Sequence, residues 1–160
     1  MRTHLLTGGA ILALLAIPSP AAADITAFLG LTPTPENRAV RGVSFGFGLL
    51  IVGFEIEYAN ALEDQAESAP SLQTGSGNVL LQTPIAIAGV QFYATTGAGL
   101  YRERLSSRQE THLSTNIGGG IKMRLAGPLR LRLDYRLFRL QGEPLHQTYH
   151  RFYGGVNLGF

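Results

Sequence analysis

The closing stretch His150-Arg151-Phe152-Tyr153-Gly154-Gly155-Val156-Asn157-Leu158-Gly159-Phe160 decides the fold. Side chains of an extended strand alternate between two faces. Phe152, Gly154, Val156, Leu158 and Phe160 therefore share one side, and Arg151, Tyr153, Gly155, Asn157 and Gly159 the other. An apolar side that runs unbroken to a terminal aromatic and a free carboxylate suits a closed barrel surrounded by hydrocarbon better than a strand facing water.

Just upstream, Leu129, Leu131, Leu133, Tyr135 and Leu137 alternate with Arg130, Arg132, Asp134 and Arg136, the strictest pattern in the chain. The same alternation extends back to Asp24 and predicts eight strands. They are Ile25–Thr32, Arg41–Leu50, Val52–Ala61, Asn78–Ala88, Val90–Tyr101, Thr111–Leu125, the stretch from Leu129, and the terminal one. In the second, Val43, Phe45, Phe47 and Leu49 oppose Ser44, Gly46 and Gly48; in the third, Val52, Phe54, Ile56 and Tyr58 oppose Gly53, Glu55 and Glu57. The fourth is the least regular, because Pro84 removes a ladder donor.

Strands of about 9–11 residues match what a tilted strand needs to cross a bilayer. Short connections at Leu50-Ile51, Ala88-Gly89 and Ala126-Gly127-Pro128 alternate with longer ones at Pro33–Val40, Leu62–Gly77, Arg102–Glu110 and Gln141–Thr148. Periplasmic turns and extracellular loops of membrane barrels show this asymmetry, and an even strand count leaves both termini on the periplasmic side. A soluble barrel or sandwich would instead turn the polar side to water. That side carries Gly42, Gly46, Gly48, Gly53, Gly97, Gly99, Gly118, Gly120, Gly155 and Gly159. So many missing side chains fit the narrow interior of an eight-stranded barrel better than a wetted surface.

The start of the chain agrees. Arg2, the apolar run Leu5 to Ile17, the breakers Pro18 and Pro20, and Ala21-Ala22-Ala23 before Asp24 predict a cleavable signal peptide over residues 1–23. The apolar run falls short of the roughly 20 residues of a membrane helix. The barrel domain is then 24–160, one domain. Without Arg2, 12 of the 13 basic side chains remain against 11 acidic ones, which gives no case for nucleic-acid binding. The absence of cysteine excludes disulfides and thiolate metal sites.

Tyr93-Ala94-Thr95-Thr96-Gly97-Ala98-Gly99-Leu100-Tyr101, Gly118-Gly119-Gly120 with Leu129 to Tyr135, and Phe152 to Phe160 together resemble the last four strands of the small outer-membrane β-barrels. These are the OmpA- and OmpX-like eight-stranded proteins with a single barrel domain. The resemblance implies an all-β, antiparallel, up-and-down transmembrane barrel in the outer membrane. It also implies Phe160 as an assembly signal read by the barrel-assembly machinery, outer-membrane lipids as surroundings, and a monomer. Members are variously structural, adhesive, weakly conducting or enzymatic, so the fold assigns no role.

On the inward side Glu55, Glu57 and Asp134 face Lys122, Arg124, Arg130, Arg132, Arg136 and Arg151. Charges in a narrow interior must be paired or hydrated. The third and seventh strands stand opposite in an eight-stranded ring, so Glu55 or Glu57 could meet Arg132 or Arg136 across the lumen. The leading reading is a lumen filled by a charge network, with no enzymatic role and a structural or surface-interaction role for the loops. One alternative is a narrow pore in which surplus positive charge favours anions. Another is a lipid A-modifying hydrolase: His112-Leu113-Ser114 faintly resembles the His-x-Ser of outer-membrane deacylases, but no Glu follows where that family places one. His146 and His150, with Glu143, have the wrong spacing on a strand for a metal site, and no cofactor is expected. Glu63, Asp64 and Glu67 form an acidic loop cluster. Tyr58, Tyr101, Tyr135, Tyr149, Phe138 and Phe152 recur toward the loop side, as an aromatic girdle would.

Overall fold

A computed structural model describes residues 22–63 and 69–160. They form eight antiparallel strands: β1 (Ala22–Thr32), β2 (Arg38–Leu49), β3 (Val52–Ala61), β4 (Ser71–Gln82), β5 (Val90–Leu105), β6 (Arg108–Ala126), β7 (Leu129–Leu140) and β8 (Thr148–Gly159). Each strand pairs with its sequence neighbours and β1 with β8, which closes the barrel. Reciprocal bonds of 3.0 Å (Ala23 N to Phe160 O) and 2.9 Å (Phe160 N to Ala23 O) fasten the last residue to β1. The signal-peptide reading falls mostly outside the described residues; of residues 1–23, only Ala22 and Ala23 are included, in β1. Asp64 and Glu67 of the acidic cluster also lie outside them.

The side chains sort as the alternation requires. Leu29, Phe45, Phe47, Ile56, Leu100, Ile117, Phe152 and Val156 are exposed on the outside, Leu29 at 71% and Ile56 at 70%. Arg132, Arg136, Arg151, Glu55, Glu57, Thr26 and Ser44 are buried within. Water would penalise such an exterior at about 25 cal/mol per Å² of apolar surface, whereas hydrocarbon does not.

Two elements differ from the sequence expectation. β4 spans Ser71–Gln82, not 78–88. Its first half, Ser71 to Gly77, turns glycines outward at Gly75 and Gly77, so no apolar stripe marks it as a strand. Thr83 to Gly89 is a turn, with Ala88 and Gly89 at positive φ and Thr83 N bonded to Phe92 O at 2.9 Å. The expected loop Arg102–Glu110 is mostly strand: β5 runs to Leu105, β6 starts at Arg108, and only Ser106-Ser107 turns between them. Here both faces carry charge, so the period-two signal vanished although the ladder continues.

The aromatic girdle also needs correcting. Tyr58, Tyr135 and Phe152 do face outward, but Tyr101, Tyr149 and Phe138 are buried inside. Their parity along each strand matches Tyr93, Arg151 and Arg136, not the lipid stripe. With Val40, Ala59, Ala61, Leu72 and Leu140 they form an apolar cluster in the loop-side half of the lumen.

Candidate functional site

The lumen is filled by inward side chains stacked along the barrel axis. The central layer is an ion-pair network. Arg132 on β7 reaches across to Glu55 on β3 with both terminal nitrogens, Nη2 to Oε1 at 3.3 Å and Nη1 to Oε2 more closely. The same guanidinium bonds Asp134 Oδ2 through Nη2 (3.0 Å) and Tyr93 Oη through Nε (2.7 Å). The Tyr93 hydroxyl donates to Asp134. Gly120 makes room for that ring, since a Cβ there would stand 2.5 Å from the phenol oxygen.

Arg136 joins all three acids: Glu55 at 2.7 Å, Asp134 at 3.1 Å and Glu57 at 3.2 Å. Arg151 on β8 reaches Glu57 at 3.0 Å and lies over the Phe138 ring, 4.2 Å from its centroid. Ser44 and Asn78 donate to Glu55, Tyr153 donates to Glu57, and Asn116 continues the chain to Asn78 at 2.9 Å. Arg132 and Arg136 are 0% exposed. Three arginines thus meet three carboxylates, and the layer is electroneutral.

Toward the termini, Lys122 pairs with Asp24 at 2.6 Å. Sequence reasoning missed Asp24 because it follows the expected cleavage point, although it shares parity with Thr26 on the inward side of β1. Arg124 and Arg130, grouped with the lumen charges by alternation, stand at the barrel mouth nearer the chain termini, outside the network. They are opposed in the β6–β7 register, and neither makes an ion pair with a described residue. The sequence count of inward charge was positive for these two reasons, whereas the plug itself balances.

Above the network lies the apolar cluster, and above that the connection 141–147 folds onto the projecting β5–β6 hairpin. Buried Glu103 accepts from Tyr149 Oη (2.7 Å) and Leu145 N (2.8 Å), Tyr101 Oη donates to Gln141 O (2.6 Å), and Arg108 donates to Glu143 O (2.7 Å). Gln141 N bonds Leu113 O at 2.9 Å. The connection therefore covers the edge of β6 that extends beyond β7, an edge that would otherwise offer free backbone groups. Glu103 had no sequence signal beyond its odd-numbered position on β5.

Ser114 is buried in the lumen wall, and its hydroxyl has no hydrogen-bond partner among the described residues. His112 lies at the loop edge, 3.6 Å from Glu110. His150 bonds Tyr135 Oη at 2.9 Å and His146 packs edge-on to Tyr149. Among the described residues no three His, Asp or Glu side chains gather in a way that could hold a metal.

Neither a protein-family model nor a curated protein matches this sequence. Solved structures do. Neisserial surface protein A superposes with a TM-score of 0.70 at 13% identity, over 89% of this chain and 98% of that one. The N-terminal β-barrel domain of Pseudomonas aeruginosa OprF gives 0.64 at 18% identity, over 88% and 98%. The outer membrane enzyme PagL gives 0.55 at 9% identity, over 84% and 98%. These likenesses establish the architecture, that of the small eight-stranded outer-membrane barrels.

Proposed function

We propose that this outer-membrane β-barrel is a sealed scaffold: it conducts no ions and serves the envelope structurally, presenting the β5–β6 hairpin and the other loop-side connections for interaction at the cell surface. The observation that carries the reading is the neutral, fully buried layer of Arg132, Arg136 and Arg151 with Glu55, Glu57 and Asp134. A permeating ion would have to break several of these pairs, each stabilised by a low-dielectric setting, and then cross the apolar layer of Phe138, Tyr101 and Tyr149 above it. The hairpin is held rigidly by Glu103, Arg108 and the 141–147 connection, so a partner would meet an ordered surface with little ordering cost. The burial of Ser114 away from the lipid-facing side supports a non-enzymatic role.

The test is planar-bilayer recording of the refolded protein. Silence is expected, with currents emerging when Glu55→Ala and Arg132→Ala are combined to empty the network. Steady anion-selective current through the unaltered protein would overturn the reading in favour of a pore.

A further inference from the structure

We propose that the periplasmic mouth of the barrel is a binding site for a small soluble oxyanion of the phosphate class, held by Arg124 and Arg130 beside the Lys122–Asp24 pair. The proposal rests on the sealed lumen, which makes this mouth a blind vestibule instead of a pore entrance.

Two adjoining cavities open there. One of about 220 Å³ is lined by Asp24, Gly46, Gly53, Gln82, Lys122 and Arg130. The other, about 320 Å³, shares Gln91, Lys122 and Arg130 with it and adds Arg124. The smaller has space for roughly seven waters, which accommodates phosphate or pyrophosphate with part of its hydration. Glycine creates this space: a Cβ at Gly53 would meet nothing nearer than Leu80 at 3.5 Å.

Positive charge predominates. Arg124 and Arg130 sit directly opposite each other on paired strands, an arrangement of like charges that destabilises a sheet unless an anion bridges it. Of the acids bordering the vestibule, Asp24 is neutralised by Lys122 and Glu55 is held by Arg132 and Arg136. The carboxylate of Phe160 forms no ion pair with a described residue, its O accepting Ala23 N. Arg130 borders both cavities and Arg124 the larger, so two guanidinium forks at this mouth offer the paired N–H donors that tetrahedral oxyanions accept bidentately. Arg124 is exposed beside the 83–89 turn, so a lipid phosphate is the competing occupant that the test separates.

The test is calorimetric and ³¹P NMR titration of inorganic pyrophosphate into the full barrel in phosphatidylcholine nanodiscs. Saturable binding is expected, weakened about tenfold or more in the double variant Arg124→Gln and Arg130→Gln. Gly53→Leu, which keeps both arginines but fills the vestibule, should weaken it as well. Arg139→Gln, an exposed arginine on the lipid side of β7, should not. Heat-modified gel mobility confirms that each variant is folded. No saturable binding by the unaltered protein, or undiminished binding by the double variant, overturns the site. Loss of binding when phosphatidylglycerol replaces phosphatidylcholine would also overturn it, by assigning the vestibule to a lipid headgroup. Failure of the sealed-lumen reading is seen separately, as bilayer current.

Discussion

Replacing Arg132 with methionine probes the network at its centre. The substitution keeps most of the side-chain volume and removes the charge that binds Glu55, Asp134 and Tyr93. Three carboxylates then share Arg136 and Arg151, so one buried negative charge is uncompensated. Breaking a buried pair by removing one partner costs about 3–5 kcal/mol, mostly through the stranded partner. Glu55→Gln in the same chain restores the balance, because Asp134 and Glu57 keep Arg136 and Arg151. The double variant should therefore be less destabilised than the two single effects summed, by about 2 kcal/mol. Reversible urea unfolding into lipid bilayers, read by tryptophan-free far-UV circular dichroism and gel mobility, measures all four corners of the cycle. A single-variant cost below about 1 kcal/mol, or strict additivity, would refute a desolvated, balanced network.

Two further perturbations separate the faces of the wall. Ile56→Arg, at an outward position near the middle of β3, should destabilise the folded barrel by about 2–4 kcal/mol; on a water-facing surface the same change would register within about 0.5 kcal/mol, and that smaller result in the unfolding assay would contradict the membrane orientation. Phe138→Ala should cost about 3–5 kcal/mol as a buried aromatic truncation, more than Phe152→Ala on the lipid side, and equal costs would argue against an apolar layer inside the lumen.

The sequence announced the barrel through parity. Where one face was apolar and the other polar, as in Leu129 to Leu137, strand and orientation could be read directly. Where Gly75 and Gly77 replaced the apolar stripe, or Arg102 and Arg104 occupied the outer face against Glu103 within, the signal was lost though the hydrogen-bond ladder was not. Parity also told which charges face the lumen but not how deep they stand. Depth separates Arg124 and Arg130 at the mouth from Arg132 and Arg136 in the network, and depth depends on the stagger between strands. Asp24 and Glu103 were hidden because each is a lone acid whose partners, Lys122 and Tyr149, lie far away in the chain.

The arginine row of β7 also guards against misassembly. A slip of one residue would turn every side chain of that strand to the opposite face, sending Arg130, Arg132 and Arg136 into hydrocarbon. At about 2–4 kcal/mol for each arginine near the midplane, and close to nothing at the interface where Arg130 stands, the misthreaded form would be disfavoured by on the order of 4–8 kcal/mol. Glu55, 77 positions before Arg132, can reward the right alignment only once the ring is nearly shut. The contact that rewards the right register therefore joins strands on opposite sides of the ring, not neighbours in the ladder.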